Sequence, residues 1–430
     1  MTEGVSRAGL ALGALVVVAV AIPLAALAVS GHALPGMPGF EYDGLSGDAS
    51  GYYAASRQFI SEAGTWTGVV LALALIGVFA GLVIAGRRKL LAGHWALVAG
   101  CLAVSAVVAV LIAGMSAPGA TAIGWPLFWS VPLVPLRAVG VLRERLAFDI
   151  SLGLSLVAIA GTVVCTAVIG RAATGKRWIG LAAAAVCAFW PLLVRPVAGT
   201  RAWENGSWNV LVGLAAYTEP LSTFLVAAAL ALIVEGTPTP LRMTLAGIAL
   251  GLATLVRVGN GLLAAMIALV CLVCLGWRKT SPLVAGGLAF LPILIAYWPL
   301  GYPQMKGPSA EKPAFVSSLQ AAADTWLDSI VFSPRTLAVL VPLAVVGGFF
   351  VRSRFALGLL VLPILVNAAF YTTYAYTAQH PRFLYVSLPA IFVLWAAGVS
   401  GVVISAVRWL RATPGSETQP ARAAGRAPRK

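Results

Sequence analysis

The sequence predicts an all-α polytopic membrane protein with about twelve transmembrane helices. Three observations predict it. First, 60% of the 430 residues are hydrophobic and only 10% are charged, whereas a soluble domain is nearer a quarter charged. There is too little polar surface to coat a chain of this size in water. Second, stretches of about 20 apolar residues, enough to cross a bilayer as a helix, recur from one end to the other. They are apolar all round rather than alternating, which favours helices over barrel strands as the way to pair every backbone group in hydrocarbon. Third, the charges divide by side once those stretches are threaded through a membrane.

The expected spans lie at about 8–29, 67–86, 94–115, 150–170, 178–194, 220–235, 242–258, 260–277, 282–300, 336–351, 355–372 and 383–407. With the N-terminus inside, the inner links carry Arg7, Arg87, Arg88, Lys89, Arg171, Lys176, Arg177, Arg242, Arg278, Lys279, Arg352 and Arg354. The tail adds Arg408, Arg411, Arg422, Arg426, Arg429 and Lys430. That is 18 of the 29 basic residues against three acidic ones, Glu3, Glu235 and Glu417, leaving 11 basic and 11 acidic residues outside. The positive-inside rule fixes this orientation. It places both termini in the cytoplasm and the chain in the cytoplasmic membrane. The net charge of +15 is then a matter of topology and of anionic lipid near the tail, and no nucleic-acid partner is expected. Residues 1–410 read as a single transmembrane domain and 411–430 as a basic, disordered tail rich in Ala, Pro, Gly and Arg.

Within this frame several features read blandly. The first stretch is long for a signal peptide and reads as an uncleaved span. Cys101, Cys165, Cys187, Cys271 and Cys274 all fall inside spans and read as small apolar filler. The Cys271–Cys274 spacing is therefore taken as neither a disulfide nor a zinc site. Segment 121–136 is apolar but short. Pro126, Pro132 and Pro135 are expected to break it, so that it lies in or dips into the outer interface. No internal repeat is visible.

The outer loops hold the residues with chemical potential. The first reads GFEYDGLSGDASGYYAASRQFISEAG from Gly39. Asp43 stands in its turn-forming part. Asp48 sits where a helix over Ala49–Glu62 would begin, with Tyr52 one turn on, on the same face. Asp48 reads either as an N-cap or as a general base at the membrane surface. Glu219 precedes Pro220, which suits the first position of a helix, so it sits at the outer mouth of a span. It is either stabilised by the helix dipole or is a second carboxylate facing the same cavity, with Glu204 as another candidate. Arg257 ends LAGIALGLATLVRVGNG. A charge costs roughly 2.5–3.5 kcal/mol at a helix centre, so Arg257 either snorkels or turns inward at a break between spans. Arg382 breaks the charge rule by standing outside, near His380, and an anionic partner such as phosphate would explain it.

In this order these sites resemble the GT-C superfamily of membrane glycosyltransferases, the protein-mannosyltransferase-like and aminoarabinose-transferase-like branch. Asp48, Tyr52, Ala55 and Arg57 match that family's first-loop pattern, and Pro126-Leu127-Phe128 its Pro-Leu-aromatic stretch. Glu219-Pro220-Leu221 matches its acid-Pro-Leu, and Gly251 to Arg257 its Gly-containing helix ending in Leu-x-Arg. His380, Arg382 and Phe383 match the late His/Arg-aromatic pair. The likeness runs from about residue 40 to 395. It departs at Ala49, where the family often has a second acid, and in the two spans at about 67–115.

The resemblance implies GT-C-like outer loops carrying short helices and a sugar transfer from a polyprenyl-phosphate donor on the outer face. The acceptor would be a hydroxyl of a glycan, lipid or protein. It gives Asp48 the role of general base, with Glu219 as a second catalytic acid. Arg382, Arg257 and His380 would hold the donor phosphate, with Asp43, Tyr52, Arg57 and Glu204 in support. No nucleotide-binding loop is required, and none is present. No cofactor is fixed, and a divalent metal is left open. A single displacement implies inversion. The alternatives are a transporter or flippase, a ligase moving whole glycans, and a non-catalytic membrane protein whose Asp48 and Glu219 are only caps.

Overall fold

A computed structural model describes residues 7–30, 61, 93–113, 124–141, 144–206, 218–297, 334–372 and 385–412. Among them there is no strand. Twelve helices follow in order: α1 (Arg7–Ser30), α2 (Gly93–Ala113), α3 (Gly124–Ala138), α4 (Glu144–Thr174), α5 (Arg177–Gly206), α6 (Glu219–Val234), α7 (Pro240–Val256), α8 (Asn260–Leu275), α9 (Trp277–Leu288), α10 (Pro334–Gly348), α11 (Arg354–Thr372) and α12 (Leu388–Ala412). Among the described residues, five segments are long and apolar enough to cross a membrane: Arg7–Ala25, Gly93–Ala113, Ile150–Thr174, Trp277–Tyr297 and Tyr385–Leu410. Five shorter helical segments, in α5, α6, α7, α8 and α11, are also apolar. The protein is thus all-α and membrane-embedded. The expected span at 67–86 lies outside the described residues.

The chain's polar punctuation defines two ends. At one, α4 stops at Gly175, whose φ of +70° suits glycine, and α5 starts two residues later. There Arg171 pairs with Glu235, which Arg242 approaches at 3.6 Å. The Arg352 backbone N–H donates to the Ala173 carbonyl at 2.8 Å. Three tight connections, α4–α5, α6–α7 and α10–α11, are tied together by residues that the charge pattern had assigned to one side. Thr239 caps α7 by accepting from the Arg242 N–H, ahead of Pro240. At the other end lie Glu219 and Arg257.

Helix α6 is central and buried on almost every face, as a helix apolar all round requires. It packs on α4 and α7; α4 and α5 form a hairpin that α1 and α12 cover. Close crossings use glycine. A methyl group on Gly247 would collide with the Leu283 carbonyl, and one on Gly398 with that of Leu343. The second collision has a mirror: a methyl on Gly347 would meet the Leu394 carbonyl. Such small-residue crossings let backbones approach where lipid offers no hydrophobic drive. The matched positions make α7 and α9 a parallel pair, and likewise α10 and α12. Gly398→Leu should therefore force α10 and α12 apart and cost about 1–3 kcal/mol or more of stability. A thermal unfolding midpoint of detergent-purified protein that does not move would show that the crossing is loose.

Two expectations change. Pro126, Pro132 and Pro135 do not break the chain, since residues 124–136 of that segment lie in the continuous helix α3. Packing outweighs the lost backbone donors: Trp129 and Leu133 are buried, and α3 lies against α7 and α4. Prolines are tolerated where neighbouring helices cover the freed carbonyls. Likewise α5 runs on past Pro191 and Pro196 to Gly206, so residues 195–206 are helix rather than loop.

Candidate functional site

The sequence LATLVRVGNG breaks the helix at the point where an arginine must leave the bilayer core. Helix α7 ends at Val256, and Arg257 is extended (φ −147°, ψ 113°). Its N–H still donates to the Ala253 carbonyl at 2.9 Å, and its own carbonyl accepts from Asn260 N–H at 2.9 Å, where α8 begins. The side chain is thereby released from the helix surface and turns inward. Its Nη1 reaches Glu219 Oε1 at 3.0 Å. Glu219 is 2% exposed, and the Arg257 side chain is 12% exposed. Glu219 opens α6, just after Thr218 and just before Pro220, so it faces the positive end of the helix dipole.

Three more polar contacts surround the pair. Asn260 Nδ2 donates to Ser222 Oγ at 2.7 Å and to the Ala253 carbonyl at 3.0 Å, locking the start of α8 to α6 and α7. Thr218 Oγ1 lies 3.4 Å from Glu219 Oε2. The Thr223 hydroxyl, one turn beyond Glu219 on the same face, is fully buried and has no hydrogen-bond partner among the described residues. Elsewhere Thr162, Thr166 and Thr254 return their hydroxyls to the carbonyl four residues back. Thr244 and Thr280 are likewise buried without a partner among the described residues.

An apolar groove lies between the helices on either side of Arg257 and the one that follows. About 430 Å³ in volume, it runs between α7, α8 and α9, floored by Gly247, Gly251, Gly261 and Gly287 and walled by Ala265 and Leu291. Thr254 and Gly261, which bracket Arg257 in sequence, line its near end. Helix α3 packs against α7. Gly124 lets it abut the Leu255–Val256 backbone, where a methyl would collide, with Pro126-Leu127-Phe128 in its first turns. The far side of α8 packs against α11. There Asn367 Nδ2 donates to Ser387 Oγ at 3.1 Å, and that hydroxyl donates to the Pro363 carbonyl at 2.8 Å. Since α8 and α11 run in opposite directions from the Arg171 end, Asn367 falls near the height of Asn260. The short turn Tyr385–Ser387 before α12 is buried at that depth, not at the bundle's rim.

The segment Gly251 to Arg257 therefore meets Glu219 of the acid-Pro-Leu motif through the ion pair, and the start of α3, which carries Pro126-Leu127-Phe128, through Gly124. Asp43, Asp48, Tyr52, Arg57, His380 and Arg382 lie outside the described residues. Glu204 falls in the last turn of α5, its side chain outside the description. Among the described residues, no group of three His, Cys, Asp or Glu side chains comes together, and the five cysteines are free. Sequence reasoning missed Thr218, Ser222, Thr223 and Asn260. The available signal was three hydroxyls in the first turns of an otherwise apolar helix, and an amide three residues after a charge. Comparison of the chain with protein-family models, curated proteins and solved structures found no match.

Proposed function

We propose that the protein transfers a sugar from a polyprenyl-phosphate donor to an acceptor hydroxyl, on the outer face of the cytoplasmic membrane, with about twelve spans in a GT-C-like arrangement. The observation that carries this reading is a half-buried cation, Arg257, held by Glu219 and set between Thr254 and Gly261, which line a glycine-rich apolar groove. An isoprenoid tail fits such a groove, because burying its apolar surface is favourable wherever the wall is smooth. Its phosphate would then sit at Arg257. A guanidinium has five donors, enough to hold a carboxylate and a phosphate together. Ser387, five residues after Arg382, lies near the height of the ion pair, which supports a second arginine on the same phosphate.

The chemistry balances in one displacement. The acceptor oxygen forms a bond to the anomeric carbon while the bond from that carbon to the phosphate oxygen breaks. Asp48 takes the acceptor's proton, and the electron pair leaves on the lipid phosphate, stabilised by Arg257 and Arg382. Inversion at the anomeric carbon follows. Glu219 orients Arg257.

The test is transfer from radiolabelled polyprenyl-phosphate sugars by the purified full chain in proteoliposomes, with wild type against Ala265→Trp. Ala265 is exposed on the groove wall, so an indole there fills the groove without overpacking the core. The expected result is an apparent KM for donor raised at least about tenfold with kcat nearly unchanged, since uniform binding is lost. Unchanged kinetics would place the donor tail elsewhere.

One observation favours the alternative, a transporter or flippase. The units α7–α8–α9 and α10–α11–α12 each contain a parallel outer pair, they run in opposite directions, and their middle helices α8 and α11 touch. Inverted three-helix units of this kind are a transporter trait. Movement of a lipid-linked sugar between leaflets, with no transfer to any acceptor, would decide for it.

A further inference from the structure

Helix α12 outruns the bundle it belongs to. Residues 385–401 are buried almost without interruption, whereas from Val402 to Leu410 the side chains are exposed apart from the half-buried Ile404. The register explains the change. Gly398 is level with Gly347, and Gly401 with Phe350, and Arg352, two residues further on, is tied to the end of α4. The last 11 residues of α12 therefore extend about 16 Å, at 1.5 Å per residue, past the end marked by Arg171 and Arg352. Val402, Val403, Val407 and Leu410 are exposed there, the last at 65%. Four large apolar side chains standing in water would be costly, so this segment has an occupant on that face.

The sequence of the segment names the occupant. With 3.6 residues per turn, Val402, Val403, Ala406, Val407 and Leu410 fall on one arc of about 140°, and Trp409 borders it. Ser405, Arg408 and Arg411 fall on the opposite arc, which also holds Ile404 and Ala412. The earlier part of the helix carries no such division. An apolar arc with a tryptophan at its edge and arginines opposite is the pattern of a helix lying in the plane of a membrane surface. Arginines on the flank and four more basic residues in the following 18 select an anionic surface.

We propose that residues 402–412 of α12 bend away from the bundle axis and dock on an anionic lipid surface, as an interfacial helix that reads the charge of the leaflet.

Nitroxide labels at Val403→Cys and Ser405→Cys, with the five native cysteines replaced, test this in the full chain reconstituted in vesicles. With 30% phosphatidylglycerol, the label at 403 should be open to oxygen and shielded from a nickel chelate, and the label at 405 open to the chelate. In pure phosphatidylcholine, chelate access at 403 should rise at least about threefold. Three results would overturn the proposal. Shielding of both labels from the chelate would make the segment a continuation of the span. Chelate access at both positions in the anionic vesicles would leave it in water. Shielding of both from oxygen and chelate alike would mean a second copy covers it. Should the cysteine replacements prevent folding, trypsin cleavage after Arg408 in the native chain gives the same answer. Cleavage should be at least about tenfold slower in anionic than in zwitterionic vesicles, and equal rates would overturn the idea.

Discussion

Arg257→Ala is expected to destabilise the protein by about 3–5 kcal/mol, because it leaves the Glu219 carboxylate buried at 2% exposure without this cation. Glu219→Ala should cost less. Arg257, at the end of α7 and 12% exposed, can extend its stem toward the interface and find water. The double variant should be closer to wild type than the sum of the two singles, since the lone buried charge is gone. Unfolding midpoints of detergent-purified single and double variants give the cycle. Additive costs would mean that the two side chains do not depend on one another. Donor binding separates structure from function. Arg257→Lys keeps a charge but loses the planar fork, so it should weaken donor binding more than it weakens the fold.

The second large effect is on rate. Asp48→Asn should reduce sugar transfer by about 10²–10⁴-fold, the usual contribution of a general base, while leaving the amount of inserted protein unchanged. Asparagine is nearly isosteric and still caps a helix, so a purely structural Asp48 would tolerate it. Near-normal transfer in the variant would therefore assign Asp48 to capping and shift the base to another carboxylate, with Glu219→Gln the next measurement. A full loss in Asp48→Asn together with normal KM for donor would place Asp48 on the acceptor side, away from the lipid phosphate.

How much of this was legible beforehand can be followed at single residues. The inward turn of Arg257 was one of two readings open to the sequence, since VGNG breaks a helix and a charge cannot stay in hydrocarbon. That its partner would be Glu219, 38 residues earlier, was not. Two acids and several basic residues competed for the same outer region, and pairing depends on which helices become neighbours. Asn260 was passed over because an amide beside glycines reads as turn chemistry. Its value lies in reaching Ser222 and Ala253 at once, on two other helices. Three prolines in segment 121–136 read as a break, and local preference does argue that way. The contacts of Trp129 and Leu133 reversed it.

Composition, hydrophobic stretches and charge asymmetry by themselves determined that this chain is all-α, lives in a bilayer, and gathers Arg171, Glu235, Arg242 and Arg352 at one end. These are properties of single segments against solvent, and each segment carries its own signal. Tertiary structure alone decided the Glu219–Arg257 pairing, the glycine-floored groove beside it, the parallel crossings at Gly247 and Gly398, and the overrun of α12. Each of these depends on the relative height of two helices. That height is set by where backbones can touch, a quantity no segment encodes without its neighbour.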